Sequence, residues 1–392
     1  MPQQEAEDKS LLDRPEVIAT AVVFSFVSMA GFLVLPQLVE GVVTTLHFSE
    51  RLVGWLSAVT AAGSMLSALG ATFWVRKVSW RRAAYVTLAG IALANVVAMT
   101  WHRAAVFFPA EFLAGISGGS LYSLALTMLS DGSRPDRSFG YAVATQVAFQ
   151  VVGLAAGPWV LRAAGLDGLL AAFALLAVAA SALVRMIPAN GRSLAAARAH
   201  IRHVTPATVL ALCGCFLFFF NVGCYWTYVE LIGTASGLTP QSVAYALSVG
   251  VGVGILGALL ASWMGERRGR LPWIAWSALL SVCAALLLLG KVALLAFGLS
   301  AVLYNIAWNL SLTYQYSVVN AVDDTGVGVA AAPAFHSAGA AVGPAVAAVL
   351  IGPGHQVIVI WLVCFGVLAS LACFSGAASL HGRHGRTVAA CR

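Results

Sequence analysis

The chain has 392 residues, 60% of them apolar and only 9% charged, and its mean hydropathy is +0.89. This small number of polar residues cannot cover the surface of a water-soluble globule of this length. The composition therefore excludes a soluble protein and predicts a membrane protein. The seven Cys residues form no C-x-x-C pair and have no His at metal-ligand spacing. We therefore expect no metal and no cofactor, and we interpret the cysteines as small apolar packing residues.

Apolar runs long enough to span a bilayer follow one another along the whole chain. A hydrocarbon core of about 30 Å requires about 20 apolar residues in one helix. Twelve such runs predict an all-α polytopic protein, and Ser49 and Thr239 are typical N-caps for the second and eighth helices. The predicted spans are 15–41, 50–75, 82–101, 104–130, 138–162, 167–188, 206–233, 240–264, 271–290, 292–319, 325–351 and 355–379.

Lys and Arg are distributed unequally between the two sets of connecting segments. If the N-terminus is cytoplasmic, all but four of the 22 Lys and Arg residues lie in inner segments, the exceptions being Arg51, Arg103, Arg162 and Lys291. This bias satisfies the positive-inside rule and predicts a multi-pass protein of the inner (cytoplasmic) membrane with both termini in the cytoplasm. The net charge of +7 is then explained by the anionic inner leaflet, so nucleic acid is not expected as a partner.

The two halves of the chain resemble each other at an offset of about 190 residues, as internal repeats do. Glu40 aligns with Glu230, and the G-x-x-x-G-P element at 153–158 matches another at 339–344. Internal duplication is typical of secondary transporters, whose site lies between the repeats. We therefore predict an N-terminal tail at 1–14, a six-helix bundle at 15–188, a cytoplasmic linker at 189–205, a second six-helix bundle at 206–379 and a cytoplasmic tail at 380–392.

Three motifs resemble those of the major facilitator superfamily. The segment "SWMGERRGR" at 262–270 is similar to that family's G-x-x-x-D-R-x-G-R loop, with Glu266 in the acidic position. Its first-half counterpart, "TFWVRKVSWRR", has Arg76 in the acidic position. The stretch "EFLAGISGG" resembles the R-x-x-x-G motif of the fourth helix, with Glu111 in place of Arg. The resemblance implies two pseudo-symmetric six-helix bundles and transport of a small molecule by alternating access.

Two interpretations compete for "GISGG" at 115–119. It matches the G-x-S-x-G pattern of a serine nucleophile, and an intramembrane protease would use Ser117 with His336 as its base. A nucleophile needs a strained turn or a water-filled cavity, whereas this glycine-rich segment continues as one apolar helix. We favour helix packing, and no enzyme activity is expected. The predicted packing residues are Gly115, Gly118, Gly119, Gly153, Gly157, Pro158, Gly339, Gly343 and Pro344.

Glu111 is the most informative polar residue of the predicted spans. It lies roughly 10 Å below the outer end of the fourth span, where a charge costs a few kcal/mol. No Lys or Arg occupies the central part of a span to neutralise it. Because intramembrane carboxylates commonly serve proton pathways, we predict that Glu111 binds the coupling H⁺. The alternative is a structural Glu that is protonated or bridged by water.

Two further acids, Glu40 and Glu230, lie roughly 36 Å from the cytoplasmic starts of their helices, at the predicted outer mouth. They are candidates for an outer gate, or they are simple interfacial residues. His336 lies near the middle of the eleventh span and is interpreted as a second proton-coupling residue and an anion contact, with a neutral packing histidine as the alternative. The other predicted substrate contacts are Gln37, Gln146, Gln150, Asn221, Tyr225, Trp226, Tyr304, Asn305, Trp308 and Asn309.

Aromatic residues are concentrated in the seventh and tenth spans, which favours aromatic or amphipathic substrates over small hydrophilic sugars. A cytoplasmic latch is also predicted, in which Arg76 faces Asp323 or Asp324 and Glu266 faces Arg134 or Arg137. Solvated loop charges are the competing interpretation.

The function predicted from these observations is proton-coupled transport of a small, organic-acid-like solute by a monomer in the bilayer. Uptake is favoured slightly because Trp159 and Val160 replace the paired Gly of the antiporter motif that drug exporters carry. Efflux by H⁺ antiport is the alternative. An intramembrane serine protease and a non-transporting receptor are more remote ones.

Overall fold

A computed structural model describes residues 12–132, 135–189, 205–265, 269–323, 327–352 and 356–390. In these residues the secondary structure comprises twelve α-helices and one 3₁₀ turn at Ala182–Met186, with no strand. The helices are α1 Pro15–Leu33, α2 Leu35–Leu46, α3 Glu50–Trp74, α4 Trp80–Thr100, α5 Ala104–Asp131, α6 Pro135–Ser181, α7 Pro206–Ala235, α8 Pro240–Met264, α9 Leu271–Leu286, α10 Leu294–Val322, α11 Val327–Leu350 and α12 Val357–Ala390.

The helices confirm the predicted all-α membrane architecture. Among the described residues, ten helices are long and apolar enough to cross a membrane, and α9 is a shorter apolar helix. The predicted N-cap of the eighth span is confirmed, since the Thr239 hydroxyl accepts a hydrogen bond from the Ser242 N–H at 3.2 Å. At the C-terminus, α12 continues to Ala390, beyond the predicted end of the last span at 379.

The first predicted span is divided into two helices. Val34, between α1 and α2, has φ −114° and ψ 29°, and Pro36 follows in the first turn of α2. Proline has no N–H to donate to the preceding turn, so the regular helix ends before it. The prediction of one uninterrupted helix over 15–41 was therefore wrong at this point.

The fifth and sixth predicted spans are merged into the single long helix α6, which is interrupted at Gly165. This residue has φ 61° and ψ −161°, a backbone conformation that glycine adopts readily and that residues with a Cβ atom strongly disfavour. It lies within 162–167, where the sequence analysis separates the two spans. The glycine thus makes the turn that a longer polar loop makes elsewhere.

The chain divides into two compact units. The first unit contains residues 1–49 and 59–197, and the second contains residues 50–58 and 198–392. The start of α3 therefore belongs with the second unit, where the Tyr228 hydroxyl donates to the Glu50 carbonyl at 3.1 Å and the Gln356 amide donates to the Glu50 carboxylate at 2.8 Å.

Each unit has its own apolar core. In the first unit, Phe24, Trp80, Leu88 and Leu121 are buried where α1, α4 and α5 pack together. In the second unit, helix α7 packs against both α11 and α12. Helices in lipid associate through close packing and hydrogen bonds, because lipid tails are as apolar as the side chains. The position of small residues is therefore decisive for where polar side chains meet.

Candidate functional site

Glu111 is buried in the first third of α5, with only 6% of its surface exposed. The Thr60 hydroxyl of α3 donates a hydrogen bond to its carboxylate Oε2 at 3.0 Å. A neutral hydroxyl satisfies part of the hydrogen-bonding capacity of a carboxylate but does not balance its charge. The ionised form of a carboxylate in this environment is therefore costly.

Small residues bring α3 and α5 close enough for this hydrogen bond. A Cβ added to Gly115 would overlap the Thr60 carbonyl oxygen, and one added to Gly63 would lie 2.6 Å from the Phe112 carbonyl oxygen. The Ser64 hydroxyl also donates to the Gly115 carbonyl at 3.1 Å. Contact between the two backbones therefore positions Thr60 beside Glu111.

The other two glycines of the "GISGG" segment also lie against neighbouring helices. A Cβ on Gly118 would lie 2.6 Å from the Ser28 carbonyl oxygen, and one on Gly119 would overlap the Ser67 hydroxyl. Ser117 is buried within α5, which runs from Ala104 to Asp131, and has no strained turn at that position. The geometry fits helix packing and lacks the strand-to-helix turn of a nucleophile elbow.

The predicted glutamine contacts of the first unit lie on α2 and α6. Gln37 is fully buried and packs closely on Gly157. A Cβ added to Gly157 would overlap the amide oxygen of Gln37. Gln146 is hydrogen bonded to Tyr122, and Gln150 is buried with an amide nitrogen that has no partner among the described residues. Each glutamine side chain is thus held in the interior of the unit.

The first G-x-x-x-G-P element packs α6 against the first span at its break. A Cβ on Gly153 would lie 2.5 Å from the side chain of Val34. Pro158 lies inside α6 and interrupts its backbone hydrogen bonding. These residues place the break between α1 and α2 directly against α6.

His336 lies on α11 among aromatic rings of the second unit and is 6% exposed. Its imidazole stacks on Phe219 with ring centroids 4.1 Å apart, and Tyr316 meets it edge-on with its hydroxyl 3.4 Å from Nδ1. Trp308 contacts both Phe219 and Trp226 in edge-on geometry. The other ring nitrogen of His336, Nε2, is buried with no hydrogen-bond partner among the described residues.

A second group of predicted contacts forms an internal hydrogen-bond network. The rings of Tyr225 and Tyr304 stack with centroids 3.6 Å apart, and the Tyr304 hydroxyl donates to the Asn221 side-chain oxygen at 2.7 Å. Asn305 and Asn309 donate to backbone carbonyls of their own helix, α10, both at 2.9 Å. The contacts of Tyr304 with Tyr225 and Asn221 therefore link α10 to α7, whereas Asn305 and Asn309 bond within α10.

The second G-x-x-x-G-P element packs α11 against α7. A Cβ on Gly339 would overlap the Phe216 carbonyl oxygen, and one on Gly343 would overlap that of Phe220. Pro344 follows inside α11. Because the same contact places Phe219 opposite His336, this glycine element determines where the aromatic cluster forms.

The two predicted outer acids are both buried. Glu40 lies on α2 of the first unit and is 9% exposed, and Glu230 lies on α7 of the second unit and is fully buried. Each is followed four residues later by a Thr whose hydroxyl donates to its carbonyl oxygen, Thr44 after Glu40 and Thr234 after Glu230. The repeat predicted from the sequence thus extends to local hydrogen bonding.

Arg76 forms an ion pair that was not predicted. Its two terminal nitrogens each lie 2.8 Å from a carboxylate oxygen of Asp131, at the end of α5. For the predicted latch, Asp323 is buried and accepts a hydrogen bond from the Gly328 N–H at 2.6 Å, and Arg137 donates to the Tyr141 hydroxyl at 2.7 Å. The other latch residues, Asp324, Glu266 and Arg134, lie outside the described residues.

Thr60 and Asp131 were absent from the predicted site, and Phe219 was expected only as one of the aromatic residues of the seventh span. A Thr or a Phe in an apolar span carries no signal of its own, and only the helix contacts show which ones face Glu111 or His336. Asp131 could have been found, since it is an acid at the end of a span opposite a basic loop. Among the described residues, no cluster of His, Cys, Asp and Glu has the arrangement of a metal site.

Several solved structures that share this fold are transporters. The nucleoside transporter NupG superposes with a TM-score of 0.71 and 13% identity, over 92% of this chain and 98% of NupG. A D-xylose-proton symporter gives a TM-score of 0.75 and 14% identity, over 91% and 96%. A bacterial homologue of the human lysosomal transporter Spinster gives 0.66 and 13%, over 98% and 97%. Identities this low show the fold and not the substrate.

Sequence comparison is consistent with the structural one. No curated protein matches the chain in sequence. The profile of the Major Facilitator Superfamily matches residues 20–322, which is well over half of the chain. The matched range includes the "EFLAGISGG" stretch and both loop segments, "TFWVRKVSWRR" and "SWMGERRGR". Because this match and the shared fold agree, the chain belongs to the Major Facilitator Superfamily and is a multi-pass secondary transporter.

Proposed function

We propose that this protein couples proton movement to transport of a small aromatic or amphipathic organic acid across the inner membrane by alternating access. Uptake is the favoured direction. The proposal gives Glu111 of the first unit the coupling proton and gives the aromatic cluster of the second unit the contacts to substrate. Glu40 and Glu230 are proposed as outer-gate residues, and the working form is proposed to be a monomer with both termini in the cytoplasm.

The observation that carries the proton-coupling proposal is the environment of Glu111. The carboxylate is buried, and its described hydrogen-bond partner is the neutral Thr60 hydroxyl. An ionised carboxylate without a cation is costly in this setting, so protonation stabilises it when water is excluded. When the site opens to water on one side, release of the proton is favoured. A coupled carrier requires this difference in proton affinity between the closed and the open site.

The substrate class is proposed from the surroundings of His336. If Nδ1 accepts the hydrogen bond of Tyr316, then Nε2 carries the ring proton and is a donor. A carboxylate is a suitable acceptor, and the neighbouring rings of Phe219 and Trp308 favour an aromatic group beside it. The substrate reaches Nε2 in a conformation that exposes this nitrogen. His336 is also proposed to take part in proton coupling.

Two observations support uptake as the direction of transport. The G-x-x-x-G-P element in α6 continues with Trp159 and Val160 instead of the paired glycine of the antiporter motif. A proton symporter is among the solved structures with this fold. Efflux by H⁺ antiport is the alternative, and transport experiments with opposite gradients distinguish the two.

The latch is likewise a proposal. Arg76 pairs with Asp131 at the end of α5, and its side chain is still 28% exposed. We propose that it also pairs with Asp323 or Asp324 during the transport cycle. Glu266 with Arg134 or Arg137 is proposed as the symmetry-related pair.

The test is transport by the purified protein in lipid vesicles with an imposed pH gradient. Radiolabelled 4-hydroxybenzoate, indole-3-acetate, tyramine and a cationic dye serve as probes, and empty vesicles give the background. We expect uptake of at least one aromatic acid that depends on the gradient. Transport confined to the amine or the dye would contradict the substrate class, and equal uptake with and without the gradient would contradict proton coupling.

The variant Glu111→Gln then tests the proposed coupling residue. It keeps the size of the side chain and its hydrogen bond to Thr60 but cannot ionise. Gradient-driven accumulation should fall to background, while exchange of labelled for unlabelled probe across the membrane should persist. Glu16→Gln, an exposed acid in the first turn of α1, is the matched control and should accumulate probe normally. Undiminished accumulation by Glu111→Gln would refute the role of Glu111.

A further inference from the structure

A small basic cavity lies at the end of the second unit where α9 begins. Its volume is about 280 Å³, and it is lined by Gly269, Arg270, Leu271, Val318, Ala321, Val322, Ala378 and His381. These residues come from the start of α9, the end of α10 and the last part of α12. None of the described lining residues is acidic, so the two ionisable ones, Arg270 and His381, can only contribute positive charge.

Arg270 is oriented by its surroundings. Its Nε donates a hydrogen bond to the Ser317 hydroxyl of α10 at 2.6 Å, which fixes the plane of the guanidinium group at the cavity. A planar guanidinium held in this way matches the geometry of a phosphate group, to which it can donate two parallel hydrogen bonds. Arg270 also directly precedes α9, whose N-terminal end carries a partial positive charge.

The remainder of the cavity is apolar, and this decides between a soluble anion and a lipid. The side chains of Leu271, Val318 and Val322 line the wall beside the two basic groups. A free phosphate ion is hydrated on all sides and gains nothing from such a wall. A phospholipid places its phosphate against the basic groups and its glycerol and acyl chains against apolar side chains.

The position along the helices agrees with a lipid of the inner leaflet. Arg270 and His381 lie in segments that the positive-inside rule assigns to the cytoplasm. Arg267 and Arg268 precede the cavity in sequence, and Arg383 and Arg386 follow it. Basic residues in cytoplasmic segments attract the anionic headgroups of the inner leaflet.

We infer that this cavity is a binding site for the headgroup of an anionic phospholipid, held by Arg270 and His381. The inference is independent of the proposed substrate and of proton coupling, because the lining residues include neither Glu111 nor the aromatic cluster. It assigns to the second unit a lipid contact at its cytoplasmic end.

Native mass spectrometry of the detergent-purified protein, titrated with phosphatidylglycerol, phosphatidylcholine or inorganic phosphate, tests the site. The wild-type protein should retain phosphatidylglycerol in preference to phosphatidylcholine. Arg270→Gln should weaken the first phosphatidylglycerol adduct about tenfold, as expected for loss of a charge-assisted contact to phosphate. Arg185→Gln removes an exposed Arg outside the cavity and is the matched control, with unchanged binding expected.

Ala378→Leu is a second variant that leaves every charge in place. The larger side chain fills the cavity, so it should also weaken the phosphatidylglycerol adduct, and His381→Gln should do so to a smaller extent. Equal binding of phosphatidylglycerol by the wild-type protein and by both Arg270→Gln and Ala378→Leu would overturn the inference. Displacement of the lipid by inorganic phosphate at equal concentration would overturn it in favour of a free-anion site.

Discussion

The hydrogen bond from Thr60 to Glu111 gives a quantitative test of the coupling proposal. In the variant Thr60→Val the hydroxyl is replaced by a methyl group of similar size, so the carboxylate loses its described donor at 3.0 Å. A hydrogen bond to a charged group contributes about 1.5 to 3 kcal/mol, and a bond to a neutral group contributes less. The ionised form of Glu111 is therefore destabilised more than the protonated form.

This difference in free energy predicts a change in rate. The two losses differ by about 0.5 to 2 kcal/mol, so at about 1.4 kcal/mol per factor of ten the ratio of ionised to protonated Glu111 should fall roughly 2- to 30-fold. If that form is a required intermediate, the initial rate of gradient-driven uptake of the transported aromatic acid falls by up to the same factor. Vesicle uptake with an imposed pH gradient measures it, and Thr60→Ser, which retains the hydroxyl, should preserve most of the rate.

A matched control separates this effect from a general response to Thr→Val substitution. Thr127, also in the first unit, donates to the Ser123 carbonyl of its own helix at 2.8 Å, and Thr127→Val should transport at the wild-type rate. If Thr60→Val were as active as Thr127→Val, the hydrogen bond would not stabilise a coupling intermediate, and the reasoning from Glu111 would fail.

Two further predictions concern stability. Gly115→Ala places a Cβ against the Thr60 carbonyl, so overpacking should cost about 1 to 3 kcal/mol and lower the apparent Tm, whereas Gly140→Ala, with no atom within 4 Å of the new Cβ, should not lower it. Equal melting of the two variants would contradict the close approach of α3 and α5. Arg76→Gln leaves the Asp131 carboxylate, 8% exposed, without its guanidinium and should cost about 1 to 3 kcal/mol. Adding Asp131→Asn should recover part of that loss in a thermal-unfolding assay, and additive losses would exclude the pairing.

Most helix positions could be predicted because a bilayer makes one strong demand on the sequence. Each span needs about 20 apolar residues, and a polar joint interrupts the run wherever the chain leaves the membrane. The predicted start of α8 at 240 and the predicted separation of the two spans in α6 near Gly165 agree with the structure for this reason. The break at Val34 was missed because Leu33, Val34 and Leu35 are all apolar, so no polar joint marks it and Pro36 is its main signal.

Some of the residues proposed to act in transport can be recognised in the sequence, and others only in the structure. Glu111 and His336 stand out in the sequence, because ionisable side chains are costly and rare within apolar spans. Their neighbours do not stand out, since Thr60 and Phe219 are ordinary residues of apolar helices. The ion pair of Arg76 with Asp131 joins residues 55 positions apart, whereas the predicted partners of Arg76, Asp323 and Asp324, lie in the second half of the chain.

By itself, the amino-acid sequence determined that this is a membrane protein of twelve apolar spans, which side chains within them are ionisable, and that the two halves are related. These properties depend on the composition of each segment and on its free energy of transfer from water to the bilayer, which does not involve the other segments. Only the tertiary structure decided that Gly115 brings Thr60 to Glu111, that Gly339 brings Phe219 to His336, and that Arg270 lies with His381 at one cavity. The physical reason is that helix packing in lipid depends on the shapes of both partners at each contact, which neither segment specifies alone.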